Sequence, residues 1–221
     1  AAVPRQGYRA LDGGDTIMSP GSWEAVLRCV GAACAAVDGV VGGEGRNAFC
    51  ATRPCGHHAE SERAMGFCIF NNVAIAARHA LDVHGLQRVA IIDFDVHHGN
   101  GTEDIIANDD RVLMASFFQH PLYPYSGGVP LGTNMVNVPV PPYTKGAEVR
   151  ELIEQPDSLI LLCLDDTLIG TTHLKRAGSV AEAMNSTVIS GIPRTISMNS
   201  THSSFITGMD ERRPSASKMP N

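Results

Sequence analysis

The stretch Arg88-Val89-Ala90-Ile91-Ile92-Asp93-Phe94-Asp95-Val96-His97-His98-Gly99-Asn100-Gly101-Thr102-Glu103-Asp104 decides the fold. Four apolar residues, Val89 to Ile92, break abruptly into Asp93, Asp95, His97 and His98, with two glycines close behind. A short apolar run bounded in this way reads as a buried strand of a parallel sheet. Ligands of open α/β sheets bind outside the carboxyl ends of the strands, which is where this polar cluster falls. Asp95 and His97 stand two apart, so both side chains can leave the same side of an extended chain and meet one ion. Carboxylate and imidazole are ordinary zinc donors. The density of polar groups after an apolar strand points to chemistry.

Working outward, Ser19-Pro20-Gly21-Ser22 is a turn with an N-cap, and Trp23 to Val41 reads as a helix. Its Ala, Val, Leu and Cys content predicts a helix packed well inside, stopped by Gly42-Gly43-Glu44-Gly45. Asn47 to Thr52 reads as a short apolar strand, followed by a polar loop from Arg53 to Gly66. Phe70 to His84 predicts a second helix, with Asn71 or Asn72 near its start and Gly85 just beyond its end. A short helix near Thr102–Ala107 and a strand at Val112–Ala115 continue the alternation. Strand and helix in turn imply a parallel sheet with helices on its faces. Ser158 to Leu164 reads as one more buried strand. From about Gly170 the chain loses periodicity, fills with Ser, Thr, Asn, Met and Pro, and ends like a tail.

Composition narrows the class. A chain of 221 residues, 43% hydrophobic and 18% charged, can bury the core of one α/β domain. The net charge of −6 supplies no basic footprint for nucleic acid or anionic membrane. No apolar stretch approaches the roughly 18 residues of a membrane span, and the first residues lack an apolar core of signal-peptide length. The six cysteines show no Cys-x-x-Cys spacing and sit mostly in apolar runs, as small core residues of a reducing compartment do. A cytoplasmic location is expected, or a nuclear one in a eukaryote. Self-association is left open.

A second polar cluster, Arg53-Pro54-Cys55-Gly56-His57-His58-Ala59-Glu60, also follows an apolar run. Adjacent histidines in a glycine-containing loop can present both rings to one cavity. They can then divide general-base and electrostatic duties, if a carboxylate or an amide holds each ring. Both clusters are expected to end adjacent strands at one edge of the sheet. Asp95 and His97 should then converge, with one of His57 or His58 facing them.

Together with Gly66-Phe67-Cys68-Ile69-Phe70-Asn71-Asn72-Val73-Ala74, the two clusters resemble the central motifs of the histone deacetylase superfamily, nearest its class II-type and bacterial acetylpolyamine-amidohydrolase branch. The likeness runs from about Asp12 to about Leu152. It implies an arginase-like α/β fold, here a partial domain over 1–157 followed by a non-matching segment over 158–221. It also implies a zinc-dependent amidohydrolase acting on N-acetylated amines, either acetyl-lysine in proteins or acetylated polyamines. By resemblance, Asp95 and His97 are two of three zinc ligands. His58 is the general base for the attacking water, and His57 the electrostatic partner nearer the leaving amine. Asp93 holds His57 and Asn100 orients His58; a neutral amide biases a ring less toward imidazolium than a carboxylate does. Asp93, Asp95, His97 and Ser116 match a monovalent-cation site, usually potassium. Phe67 and Tyr123 match the aromatic walls of a narrow tunnel, Gly66 lets the substrate stem pass close to the backbone, and Asp15 matches a rim carboxylate.

The departures are as definite as the matches. The family's third zinc ligand lies in a Gly-Phe-Asp-Ala-His-like motif, and this chain has none. Leu159 to Leu164 ends in Asp165 and Asp166, either of which could stand in. No Gly-Gly-Tyr occurs, so no tyrosine sits in the context of the family's transition-state tyrosine. Two functions of different class follow: a deacetylase-type enzyme, or an impaired fragment acting through partner binding. A ureohydrolase with two manganese ions fits worse, because it needs Asp-x-His-x-Asp spacing, whereas Val96, His98 and Gly99 surround His97.

Overall fold

A computed structural model describes residues 3–154 and 204–209. At its centre lies a four-stranded sheet built on β3 (Arg88–Asp93), the strand read from the apolar run. The other strands are β4 (Val112–Gln119), β5 (Met135–Val140) and β6 (Ser204–Met209), in the order β5-β4-β3-β6. Strands β3, β4 and β5 are parallel, and Asp93 stands in register with Ser116. β6 runs antiparallel along the other side of β3. Apart from the sheet, β1 (Arg9–Ala10) and β2 (Ile17–Met18) form a small antiparallel ribbon.

Three helices accompany the first two central strands. Helix α1 (Ser22–Val41) packs on α2 (Asn72–Asp82), and α2 packs on β3. α2 begins where its sequence says it should: the Asn71 side chain accepts a hydrogen bond from the Ala74 N–H, and Gly85 turns the chain after the helix with φ of +68°. The short α3 (Asn100–Ile106) follows the polar loop, and α4 (Gly146–Glu154) follows β5. Val73, Ala77, Ala80 and Leu81 of α2 close on Val89 and Ile91 of β3, with Ile106, Val112 and Met114 completing the core. Small alanines let the helix approach the sheet closely, so β3 is held on a face as well as on both edges.

Three expectations need correction. Asn47–Thr52 is not a strand; it is exposed irregular chain, with Phe49 74% exposed. Four apolar residues in a row, Ala48 to Ala51, do not make a strand without an open sheet edge to pair with. Helix α1 buries only Val26 and Cys29, and Trp23 and Leu27 face outward. Its apolar composition covers the outside of α2 and does not place it within the core. The segment after Gly170, read as a tail, contains β6, whose Phe205, Ile206 and Thr207 are strand-forming types. Strand β5 escaped the reading because Pro139 and Asn137 interrupt its apolar pattern. The strand expected at 158–164 lies outside the described residues. All five described cysteines are free thiols.

Candidate active site

Asp93 ends β3 with its carboxylate almost wholly buried, and both of its oxygens are used. Oδ2 lies 2.9 Å from Nδ1 of His57, and Oδ1 accepts the backbone N–H of Asp95 at 3.1 Å. The His57–His58 loop therefore reaches the sheet through a side chain, not by following a strand. It is fixed again by α3, where the Thr102 N–H donates to the His57 carbonyl at 3.0 Å. His58 turns the other way, with Nδ1 2.8 Å from Oδ1 of Asn100. The two ring centroids stand 4.0 Å apart.

The two tethers split the pair electrostatically. Burial disfavours the charged form of His57, yet the Asp93 carboxylate and its hydrogen bond override this and push the ring up to about 9. Burial also disfavours the imidazolium of His58, the neighbouring His57 charge adds to it, and the ring is pushed down to about 3. Near neutral pH the opposite shifts leave the pair with a single positive charge, on His57.

Asp95 and His97 converge. Oδ1 of Asp95 and Nδ1 of His97 lie 3.2 Å apart, and the His97 N–H also donates to that oxygen at 2.8 Å. Two donors on one tetrahedral zinc at ordinary bond lengths stand about 3.3 Å apart, so this pair fits such an ion. His58 faces them, its ring centroid 6.0 Å from that of His97. Tyr123 lies edge-on to both rings, with centroids 5.0 and 5.6 Å away. Its phenol is pushed up to about 12, first by burial and then by the charge of the exposed Asp15. The Asp15 loop is pinned by Asp12, which accepts hydrogen bonds from Gly14 and Thr16; the Thr16 hydroxyl in turn accepts the Phe67 N–H at 3.1 Å. Gly66 has φ of +56°, and a Cβ there would come within 2.5 Å of His58 and 2.6 Å of the Tyr123 hydroxyl. Phe67 follows at the rim, 58% exposed.

Ser116 is buried beside Asp93 in register, but its hydroxyl lies 3.3 Å from Nδ1 of His98. Asp165 and Asp166 lie outside the described residues. Among the described residues, the metal-capable trio whose ligand atoms all lie within 4.8 Å of one another is Asp38, His79 and His84; Asp95 and His97 belong to no such trio. Two residues that orient the site were not read from the sequence. Glu60 accepts from Asn100 Nδ2 at 2.7 Å, which fixes the amide that faces His58. Glu103 lies 2.7 Å from Nε2 of His98 and locks that ring into the core. An acid closing the His57–His58 motif and another shortly after His97-His98 were the available signals.

The arrangement is therefore a sheet of three parallel strands and one antiparallel strand, with a carboxylate–imidazole pair outside the end of β3 and a tethered histidine pair beside it. A family profile described as the histone deacetylase domain matches residues 2–161. This chain belongs to the histone deacetylase family. It is 44% identical over 137 residues to a histone deacetylase-like amidohydrolase of Pseudomonas aeruginosa, covering 59% of this chain and 36% of that protein. A probable deacetylase of Archaeoglobus fulgidus is 43% identical over 136 residues, covering 59% of this chain and 38% of that one. The crystal structure of the HDA15 HD domain superposes with a TM-score of 0.56 at 35% identity, covering 60% of this chain and 40% of the other. The fold is thus a partial arginase-like deacetylase fold, and the chain spans well under half the length of these relatives. No helix among the described residues is long and apolar enough to cross a membrane.

Proposed function

We propose that the chain is a zinc-dependent amidohydrolase that removes acetyl groups from N-acetylated amines, acetyl-lysine in proteins or acetylated polyamines. The observation that carries this reading is the unequal tethering of two touching histidines beside a converging carboxylate and imidazole. Asp95 and His97 would hold the zinc, with a third donor from beyond the described residues, for which Asp165 is the candidate. Bound zinc supplies Lewis acidity to a carbonyl and lowers the pKa of a water.

The remaining steps belong to the chain's own residues. Neutral His58 takes a proton from the water as its oxygen bonds to the acetyl carbon. The protonated ring then gives that proton to the amine nitrogen as the C–N bond breaks. His57, kept cationic by Asp93, offsets the negative charge that develops between these events. Asn100 holds the His58 ring without fixing a positive charge on it. Phe67 and Tyr123 desolvate an alkyl stem, Gly66 leaves it room, and Asp15 accepts a hydrogen bond from the substrate backbone at the rim. Asp93, Asp95, His97 and Ser116 are proposed to hold a potassium ion beneath this centre.

The test pairs zinc content with hydrolysis of a fluorogenic acetyl-lysine peptide and of an acetylated polyamine. Zinc in the purified chain and a turnover that His58→Ala lowers by about 10²–10⁴ are expected. Zinc-free protein whose background rate is untouched by His58→Ala would overturn the enzyme reading. That outcome would favour an impaired fragment that works by binding partners, a reading supported by Asp95 and His97 belonging to no three-donor group among the described residues.

A further inference from the structure

Far from the histidine pair, three donors meet where two helices end. Asp38 lies in the last turn of α1, His79 in the last turn of α2, and His84 in the turn that follows α2. Nε2 of His79 and Nε2 of His84 each hydrogen-bond the same Asp38 oxygen, Oδ1, at 2.6 Å, and must draw back to about 3.3 Å from it to share one zinc. The two rings stand edge to face, with centroids 5.3 Å apart at 78°. On a continuous helix, residues five apart point about 140° away from each other and cannot share a partner. Here the helix stops at Asp82, and the turn to Gly85 swings His84 back over His79. The convergence is thus a product of the tertiary fold.

We propose that Asp38, His79 and His84 form a site for a divalent transition metal, zinc in the first instance, which clips α1 to α2. Two imidazoles and a carboxylate, with ligand atoms all within 4.8 Å of one another, are a donor set for Zn²⁺, Ni²⁺ or Cu²⁺ and not for Mg²⁺ or Ca²⁺, which take oxygen. The rings are largely covered, with side-chain exposures of 21% and 22%, while the Asp38 carboxylate is 52% exposed. The histidines are therefore held in place, and the outer coordination position opens to water. α1 has use for such a clip, because Val26 and Cys29 in its first half are its buried residues. A metal at Asp38 fastens the opposite end, where, among the described residues, Val37 packs, partly buried, against the core. The ion would bind the folded chain and not the unfolded one, so it adds stability by mass action.

The site shares no residue with the active site, so either proposal can fail alone. Zinc is titrated calorimetrically into the full chain carrying Asp95→Ala and His97→Ala, with histidine ring nitrogens followed by NMR. One zinc should still bind, moving the Nε2 resonances of two histidines and raising the melting temperature. Asp38→Asn or His84→Gln in that background should weaken binding at least about tenfold. The same single changes in the otherwise unsubstituted chain should remove one zinc-binding event. The proposal is overturned if the Asp95→Ala, His97→Ala chain melts cooperatively yet binds no zinc. It is equally overturned if zinc binding is indifferent to His84→Gln in both backgrounds.

Discussion

The chain carries two His-His doublets, and the fold treats them oppositely. Both rings of the first, His57 and His58, stand together beside the His97 ring, each tied at Nδ1 to its own partner, Asp93 or Asn100. In the second, His97 turns to Asp95, while His98 points into the core between Glu103, Ser116 and the Phe118 ring, 4.4 Å away. Each doublet leans on a glycine with positive φ. A Cβ at Gly66 would strike His58, and a Cβ at Gly127, φ of +88°, would strike His98 at 2.6 Å. The dipeptide alone therefore assigns no role. What decides it is the tethering partner: Asp93 and Asn100 hold their rings together beside His97, whereas Glu103 holds His98 against the Phe118 ring.

The sharpest way to break this contrast is to truncate both members of the second doublet. His98→Ala should cost about 3–5 kcal/mol of stability, because it leaves a cavity and takes from the buried Glu103 carboxylate its Oε2 partner, leaving only Oε1 bonded, to the Leu131 N–H and Asn137 Nδ2. His97→Ala, at a side chain 35% exposed, should cost under about 1 kcal/mol. Equal losses in urea denaturation would show that His98 is no more structural than His97. The glycines come next. Gly127→Ala should lower stability by about 1–3 kcal/mol, whereas Gly66→Ala should act chiefly on turnover by displacing His58 and Tyr123. A Gly66→Ala chain with full activity would separate that contact from the site.

The pH dependence sharpens the contrast within the first doublet. His57 is raised from 6.5 to about 9, so its contribution is complete below pH 6.5 and is lost as pH climbs through 9. His58 is lowered to about 3, so its contribution is complete above pH 6.5 and drains away as pH falls toward 3. The pair should favour folding most near pH 6.5. Asp93→Asn should abolish the alkaline decline in the denaturation midpoint between pH 6.5 and 9; an unchanged decline would mean that Asp93 is not what charges His57. The smallest effect is expected at the rim, where Asp15→Asn should raise KM several-fold with little change in kcat, because a lone exposed hydrogen bond contributes only about 1 kcal/mol.

How much of this could be read beforehand varies with the range of the interaction. Strand β3 was legible from four apolar residues, and α2 from an asparagine before it and a glycine after it, because those signals are local. The pairings His57 with Asp93 and His58 with Asn100 followed from motif resemblance, since no spacing rule links positions 36 and 42 residues apart. Asn47–Thr52 misled because pairing needs an edge that sequence does not display. The depth of α1 misled because hydropathy does not say which side another helix will cover. The inward turn of His98 and the meeting of Asp38 with His79 and His84 depend on packing, and neither leaves a periodic trace in the chain.

Asp93 also bears on how the candidate active site could be moved or rebuilt. One oxygen anchors the loop of the first doublet, and the other anchors the backbone at Asp95 that starts the loop of the second. Neither loop is an independent cassette. Grafting residues 53–60 onto another scaffold would transplant the histidines without the post that aims them, and grafting 94–98 would leave a loop with no fixed origin. The smallest transferable unit is β3 itself, kept in register with β4 so that position 93 cannot drift, together with both loops.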